Sequence, residues 1–162
     1  MFPAALLAEA RDLLAAARRA NAHIVTAESC TGGLIAALLT EIPGSSDVVE
    51  RGFVTYSNEA KQELLGVPEK LLWTHGAVSE PVCRAMAQGA LRNARAEFSV
   101  AVTGIAGPGG GSPEKPVGLV YIGAANLAGH VIVQEHRFGD IGRDRVRLST
   151  VEKAIELLRG CL

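Results

Sequence analysis

Cysteine is scarce and its spacing pairs nothing: Cys30, Cys83 and Cys161 are odd in number and far apart. That pattern excludes a disulfide framework and the paired ligands of a structural zinc site, and it fits a reducing cytoplasm. Histidine is as dispersed, at His23, His75, His130 and His136, with the last two on a strand-like run rather than at helical spacing. No metal is expected. No run of about 18 apolar residues occurs, so no segment is expected to span a membrane. The apolar opening Met1-Phe-Pro-Ala-Ala-Leu-Leu-Ala8 is cut by Glu9, Arg11 and Asp12 and follows no basic residue, so it reads as a helix rather than a signal peptide. Excess charge is missing too: 16 basic against 17 acidic residues leave a formal net charge of -1. A nucleic-acid or anionic-membrane binder would carry a basic footprint, so neither partner is expected.

What the chain does have is apolar content, 48% over 162 residues, enough for one well-buried core and one domain spanning 1–162. No internal repeat or low-complexity linker divides it. The most distinctive stretch is Ala101-Val-Thr-Gly-Ile-Ala-Gly-Pro-Gly-Gly-Gly-Ser-Pro-Glu-Lys-Pro-Val117, where an apolar strand runs into a cluster of glycine and proline. Regular structure is not expected through Gly107–Pro116, because glycine lacks steric restriction and proline withholds its N–H. Open backbone exposes N–H donors, and with Lys115 these suit an anion such as phosphate. The glycine register matches neither common phosphate loop. Gly111 is followed by Ser112 and Pro113 rather than Lys-Ser/Thr, and a dinucleotide fingerprint begun at Gly107 and Gly109 would need glycine where Ser112 stands.

Residues 4–20 place Leu6, Leu7, Ala10, Leu13, Leu14 and Ala17 at helical intervals. His23–Ala27 reads as a strand that ends in Glu28-Ser-Cys-Thr-Gly-Gly33 before helical character resumes at Leu34. Val48–Tyr56 reads as a second strand, Asn58–Leu65 as a helix capped by Ser57 and stopped by Gly66, and Pro68–Trp73 as a helical turn in which Trp73 packs. Ser79 is expected to cap a helix through Asn93, with Cys83 and Met86 on its core face. Phe98–Thr103 and Val117–Ala125 read as buried strands flanking the glycine loop. The short Asn126–Gly129 turn leads to His130–Phe138, which must return as an antiparallel hairpin. A final helix from Arg143 to Arg159, with Gly160 as its stop, closes a three-layer α/β/α domain over a mixed, mostly parallel sheet of about five strands.

Three segments then point to one side of the sheet: Glu28–Gly33, Tyr56–Lys61 and Thr103–Lys115. Ser29 is the leading nucleophile candidate, because a hydroxyl followed by Gly32 and Gly33 at a helix start meets N–H donors able to hold an oxyanion. Lys61 serves as base if desolvation lowers its pKa, and Tyr56 relays a proton or holds the lysine. Against this stand plain structural roles: Ser29 and Thr31 as helix caps, Lys61 as a solvated charge, Tyr56 as a core aromatic. Cys30 is a rival nucleophile, since a helix N-terminus lowers a thiol pKa, or else a small buried residue. Glu28 is an orienting carboxylate or an ordinary strand-end charge.

Thr26-Ala-Glu-Ser-Cys-Thr-Gly-Gly33, Arg51-Gly-Phe-Val-Thr-Tyr-Ser-Asn-Glu-Ala-Lys61, His75-Gly-Ala-Val-Ser-Glu-Pro81 and Gly104-Ile-Ala-Gly-Pro-Gly-Gly-Gly-Ser-Pro-Glu-Lys-Pro-Val-Gly118 resemble the CinA C-terminal family, in order and over nearly the whole chain. The resemblance implies a nicotinamide-nucleotide amidase of the stand-alone form, which converts nicotinamide mononucleotide to nicotinate mononucleotide and ammonia without a cofactor. It implies Ser29, Tyr56 and Lys61 as the catalytic residues, and a nucleotide site lined by Glu28, Thr31, Gly32, Gly33, Thr103, Gly104, Gly107, Gly109, Gly110, Gly111 and Lys115. The family's late Gly-Asp-Arg motif is displaced here: Gly139-Asp-Ile-Gly-Arg143 carries two extra residues, which makes Arg143 the equivalent, with Arg145 and Arg147 as alternatives. A homo-oligomer, with a dimer favoured, is also implied. The other functional class compatible with these residues is a non-catalytic nucleotide-binding or competence-related regulatory module.

Overall fold

Leu6, Ala10, Leu13, Leu14 and Ala17 form the buried face of helix α1 (Ala4–Arg19) in the computed structural model, which describes all 162 residues. The chain continues through β1 (Ile24–Glu28), α2 (Leu34–Thr40), a 3-10 turn (Ser45–Asp47), β2 (Val49–Val54), α3 (Asn58–Leu65), α4 (Glu69–His75) and α5 (Glu80–Arg92). It ends with β3 (Phe98–Gly104), β4 (Leu119–Asn126), β5 (Val131–Arg137) and α6 (Arg143–Cys161). The strands form one five-stranded sheet in the order β2-β1-β3-β4-β5. β1 is parallel to β2 and to β3, whereas β3–β4 and β4–β5 are antiparallel, so β4 alone runs against the other four. Connectivity is the cause. Helices bridge β1, β2 and β3 as parallel crossovers, while the glycine loop and the tight turn before β5 contain no helix and return the chain directly.

Every residue of β1 is buried, with Ile24 facing one core and Val25 and Ala27 the other. The first core joins α1, α2 and α6 to one face through Leu13, Leu38, Val102, Ile122 and Ile155. The second joins α5 and the ends of α3 and α4 to the opposite face through Leu65, Leu72, Met86 and Ala101. The expected α/β/α layering is therefore present, with Cys83 and Met86 in the core. No helix is long and apolar enough to cross a membrane.

Three local expectations are corrected. Trp73 is 84% exposed, because Leu72 supplies the buried contact of α4 and the next residue points about 100° around the helix. Ser79 stands at the N-cap of α5 without capping it; its hydroxyl donates instead to Gly76 O at 2.8 Å. Gly160 does not stop α6, which runs through it to Cys161.

Candidate active site

The carboxyl ends of the three parallel strands meet where β2 and β3 diverge to either side of β1, the crevice in which open α/β sheets hold ligands. Glu28 is in register with Val54 on one side and Val102 on the other. The pairing continues one residue further, with Ser29 N–H donating to Val102 O at 3.1 Å and Thr55 N–H to Glu28 O at 2.8 Å. A cleft of about 220 Å³ opens there, lined by Ser29, Cys30, Tyr56, Lys61, Thr103, Gly104 and Arg143, with Asn58, Ala77, Val78 and Ala106 completing it. A cleft of comparable volume lies among Arg18, Asn21, His23 and Asp47, but it places no hydroxyl against a buried amine.

Lys61 shares the inward face of α3 with Leu65, one turn on, and is 1% exposed. Ser57 caps the helix by accepting Ala60 N–H at 3.0 Å, which fixes its first turn beside the strand end. The Lys61 Nζ lies 3.0 Å from Ser29 Oγ, 2.8 Å from Thr55 O, 3.4 Å from Ser57 O and 3.5 Å from Tyr56 O. Burial pulls its pKa down from 10.5 to about 8, against weaker opposing pulls from Cys30 and Glu59. A neutral amine at this position donates its two hydrogens to carbonyls and turns its lone pair to the Ser29 hydroxyl. That is the arrangement of a nucleophile with its base.

Glu28 resolves into an orienting carboxylate. It is 1% exposed and faces away from the cleft, with Oε2 accepting from Thr31 Oγ1 at 2.6 Å and from Gly33 and Ile35 N–H at 3.0 Å each. Its Oε1 accepts from Ala36 N–H at 2.9 Å and Thr26 Oγ1 at 3.3 Å. A negative charge at the N-terminus of α2 thus caps the helix and clamps the turn that follows Ser29. The expected oxyanion donors are corrected accordingly: Gly33 N–H is engaged by Glu28, and Gly32 N–H donates to Ser29 O at 3.0 Å. Thr31 is fully buried beneath the turn. Cys30 does line the cleft, but burial pushes its thiol up to about 12, more than its own N–H, Arg147 and Lys61 lower it.

Tyr56 is 61% exposed at the mouth, and its hydroxyl accepts from Arg143 Nη2 at 3.0 Å rather than meeting Lys61. Arg143 also donates to Gly107 O at 2.9 Å and so bridges the second strand end and the glycine loop. Arg145 is exposed, and Arg147 is turned inward onto Thr31 O at 2.8 Å, which leaves Arg143 as the arginine of the three at the cleft. Thr103 Oγ1 donates to Ala77 O at 2.8 Å and holds that wall in place. Residues 105–118 contain no helix or strand, as expected. Gly107 reaches the site through its carbonyl, but Gly109, Gly110 and Gly111 are exposed outside the lining, and the Lys115 ammonium is tied to His75 O. A local turn, with Ser112 N–H donating to Lys115 O at 2.8 Å and Lys115 N–H to Ser112 Oγ at 3.0 Å, holds the loop tip in itself. Asn58 escaped the sequence reading although it lies three residues before Lys61 on one helix face, which was a usable signal; nothing in the sequence singled out Ala77 and Val78.

Residues 7–162 match the model of the CinA C-terminal domain family. The chain is 53% identical over 139 residues to a nicotinamide-nucleotide amidohydrolase, PncC, of Escherichia coli strain K12, covering 85% of this chain and 83% of that protein. It is 51% identical over 140 residues to a CinA-like protein of Anaeromyxobacter sp. strain K; the match covers 86% of this chain but only 34% of that longer relative. Among solved structures, a competence/damage inducible protein of Agrobacterium tumefaciens superposes with a TM-score of 0.97 at 54% identity, over 99% of this chain and 97% of that one. Together with a sheet and a strand-end cleft of this form, these matches establish that the chain belongs to the CinA C-terminal domain family.

Proposed function

We propose that this protein hydrolyses the carboxamide of nicotinamide mononucleotide to nicotinate mononucleotide and ammonia, with Ser29 as nucleophile and Lys61 as its base. The observation that carries the reading is the 3.0 Å approach of Ser29 Oγ to a lysine that is 1% exposed and low in pKa. The 53% identity to a protein named for this reaction supports the substrate. In the first step neutral Lys61 takes the Ser29 proton as Oγ bonds to the carboxamide carbon, and the carbonyl π pair moves onto oxygen. Lysine then returns the proton to the leaving nitrogen as the C–N bond breaks, releasing ammonia and an acyl ester on Ser29. A water, deprotonated by the same amine, attacks the ester; nicotinate mononucleotide leaves and Ser29 recovers its proton.

Arg143, forked between Tyr56 and Gly107 at the mouth, is the cation best placed to meet the substrate phosphate, with Tyr56 orienting it. Thr103 and Gly104 form the wall facing the reacting group. The test is ammonia release from nicotinamide mononucleotide by the purified protein, with Ser29→Ala and Lys61→Ala as controls. Each variant is expected to lose turnover by at least about a thousandfold while keeping its circular dichroism spectrum. Wild-type protein that binds the nucleotide yet releases no ammonia would instead make the chain a binding module, and a fully active Ser29→Ala would remove that residue from the chemistry.

A further inference from the structure

A line of hydrogen bonds runs into the Ser29 turn from α6. Arg147 donates from Nη2 to Thr31 O at 2.8 Å. The same peptide group carries Gly32 N–H, which donates to Ser29 O at 3.0 Å. That second peptide group carries Cys30 N–H, which donates to no other residue of the fold and faces only its own thiol. A guanidinium is thus joined, through two peptide groups aligned head to tail, to a donor on the residue after Ser29 that no other residue engages. Thr31 N–H is unpaired as well, but Thr31 is fully buried and lies outside the cleft lining, whereas Cys30 is part of it. Arg147 forms no ion pair, and its Nε is buried without a partner, so its charge is not neutralised by a contacting carboxylate.

We propose that Cys30 N–H is the oxyanion donor of the Ser29 reaction and that Arg147 is a positioning residue, which holds the turn and polarises that donor through the Thr31–Gly32 and Ser29–Cys30 peptides. The proposal rests on the amidase reading of the same cleft. Each hydrogen bond in such a chain strengthens the next, and a fixed donor has most effect where negative charge develops away from water. Arg147 also opposes the Glu28 carboxylate, which sits on the other side of the turn and would otherwise disfavour an anion beside Ser29. Arg147 touches neither substrate nor Ser29 Oγ, so its influence should appear in the tetrahedral state and not in ground-state binding.

The experiment compares wild type with Arg147→Met and Arg147→Gln in three measurements. These are kcat and KM for nicotinamide mononucleotide, the inhibition constant of pyridine-3-carbaldehyde mononucleotide, which adds Ser29 Oγ to give a tetrahedral hemiacetal, and substrate affinity in a Ser29→Ala background. Arg147→Met is expected to lower kcat roughly tenfold, less than the ~10²–10³ of deleting an oxyanion donor outright. The aldehyde should weaken by about the same factor, while KM and affinity in the Ser29→Ala background stay within about twofold. Should Arg147→Met fail to fold, Arg147→Gln, which keeps an N–H donor without the charge, must show the same parallel loss of kcat and aldehyde affinity. A kcat within about twofold of wild type, or a fall in kcat with aldehyde affinity intact, overturns the proposal. Wild-type protein without ammonia release would overturn the amidase reading itself, a separable result.

Discussion

Lys61 is the buried amine of the cleft, and its titration is the most direct test of the proposed reaction. The folded value of about 8 lies below the unfolded 10.5 because burial disfavours the charged form. A base acts only when neutral, so under the proposed mechanism kcat/KM is expected to rise with pH through about 8 and level off above it, in a pH profile taken with saturating and limiting substrate. The stability effect has the same sign. The unfolded chain binds this proton more tightly, so the cost of the buried ammonium is full below about 8 and disappears as pH rises to 10.5. That cost is on the order of 3 kcal/mol, and the gap in urea stability between wild type and Lys61→Met should narrow from pH 7 toward pH 10. A flat gap would mean that the amine is not desolvated in the folded protein. Cys30 offers the complementary check. With its thiol pushed up to about 12, Cys30→Ala should keep near-normal kcat, and alkylating reagents should leave the wild type active. Inactivation of wild type but not of Cys30→Ala would reinstate the thiol as a participant.

At the scale of elements, the site depends on how two helices are seated. α3 delivers Lys61, and it lies against α5 so closely that a Cβ added at Gly89 would meet the carbonyl of Leu65 far inside van der Waals contact. Gly89→Ala should therefore push α3 outward, destabilise the fold by about 1–3 kcal/mol and lower kcat by separating Lys61 from Ser29. Urea denaturation and steady-state kinetics check both effects. Wild-type stability and kcat together would show that α3 has room the structure does not suggest. α2 is seated by Glu28, whose two oxygens accept four donors at the head of the helix and a fifth from Thr26 on β1. The helix has no capping side chain at Gly33 itself, so the carboxylate from the strand before it supplies what the local sequence lacks.

For the whole molecule, the cleft is assembled from β1, β2 and β3 ends, one turn of α3 and the first residue of α6, with no group of three or more His, Cys, Asp or Glu side chains gathered as metal ligands. Turnover should accordingly survive exhaustive chelation; a loss restored by one particular divalent ion would reveal a site formed only with substrate. Much of this organisation was legible along the chain, since local periodicity decides it. The apolar face of α1 and the bounds of α3 follow from side-chain spacing and from Ser57 and Gly66. The antiparallel return into β5 follows from a turn too short for a crossover. Ser29, Tyr56 and Lys61 could likewise be named from strand-to-helix junctions. Beyond the pairing of Ser29 with Lys61, their partners could not, because hydrogen bonds between distant segments leave no local pattern. Local patterning sets the elements, their layering and the place of Ser29 at a strand end. Packing between distant segments sets the rest: Tyr56 answers to Arg143, Glu28 is a helix cap, Arg147 reaches under the Ser29 turn and the glycine-loop tip stands clear of the cleft. Those outcomes depend on which long side chains the packed helices turn inward, and that direction is fixed by contacts across the sheet rather than by neighbours in the chain.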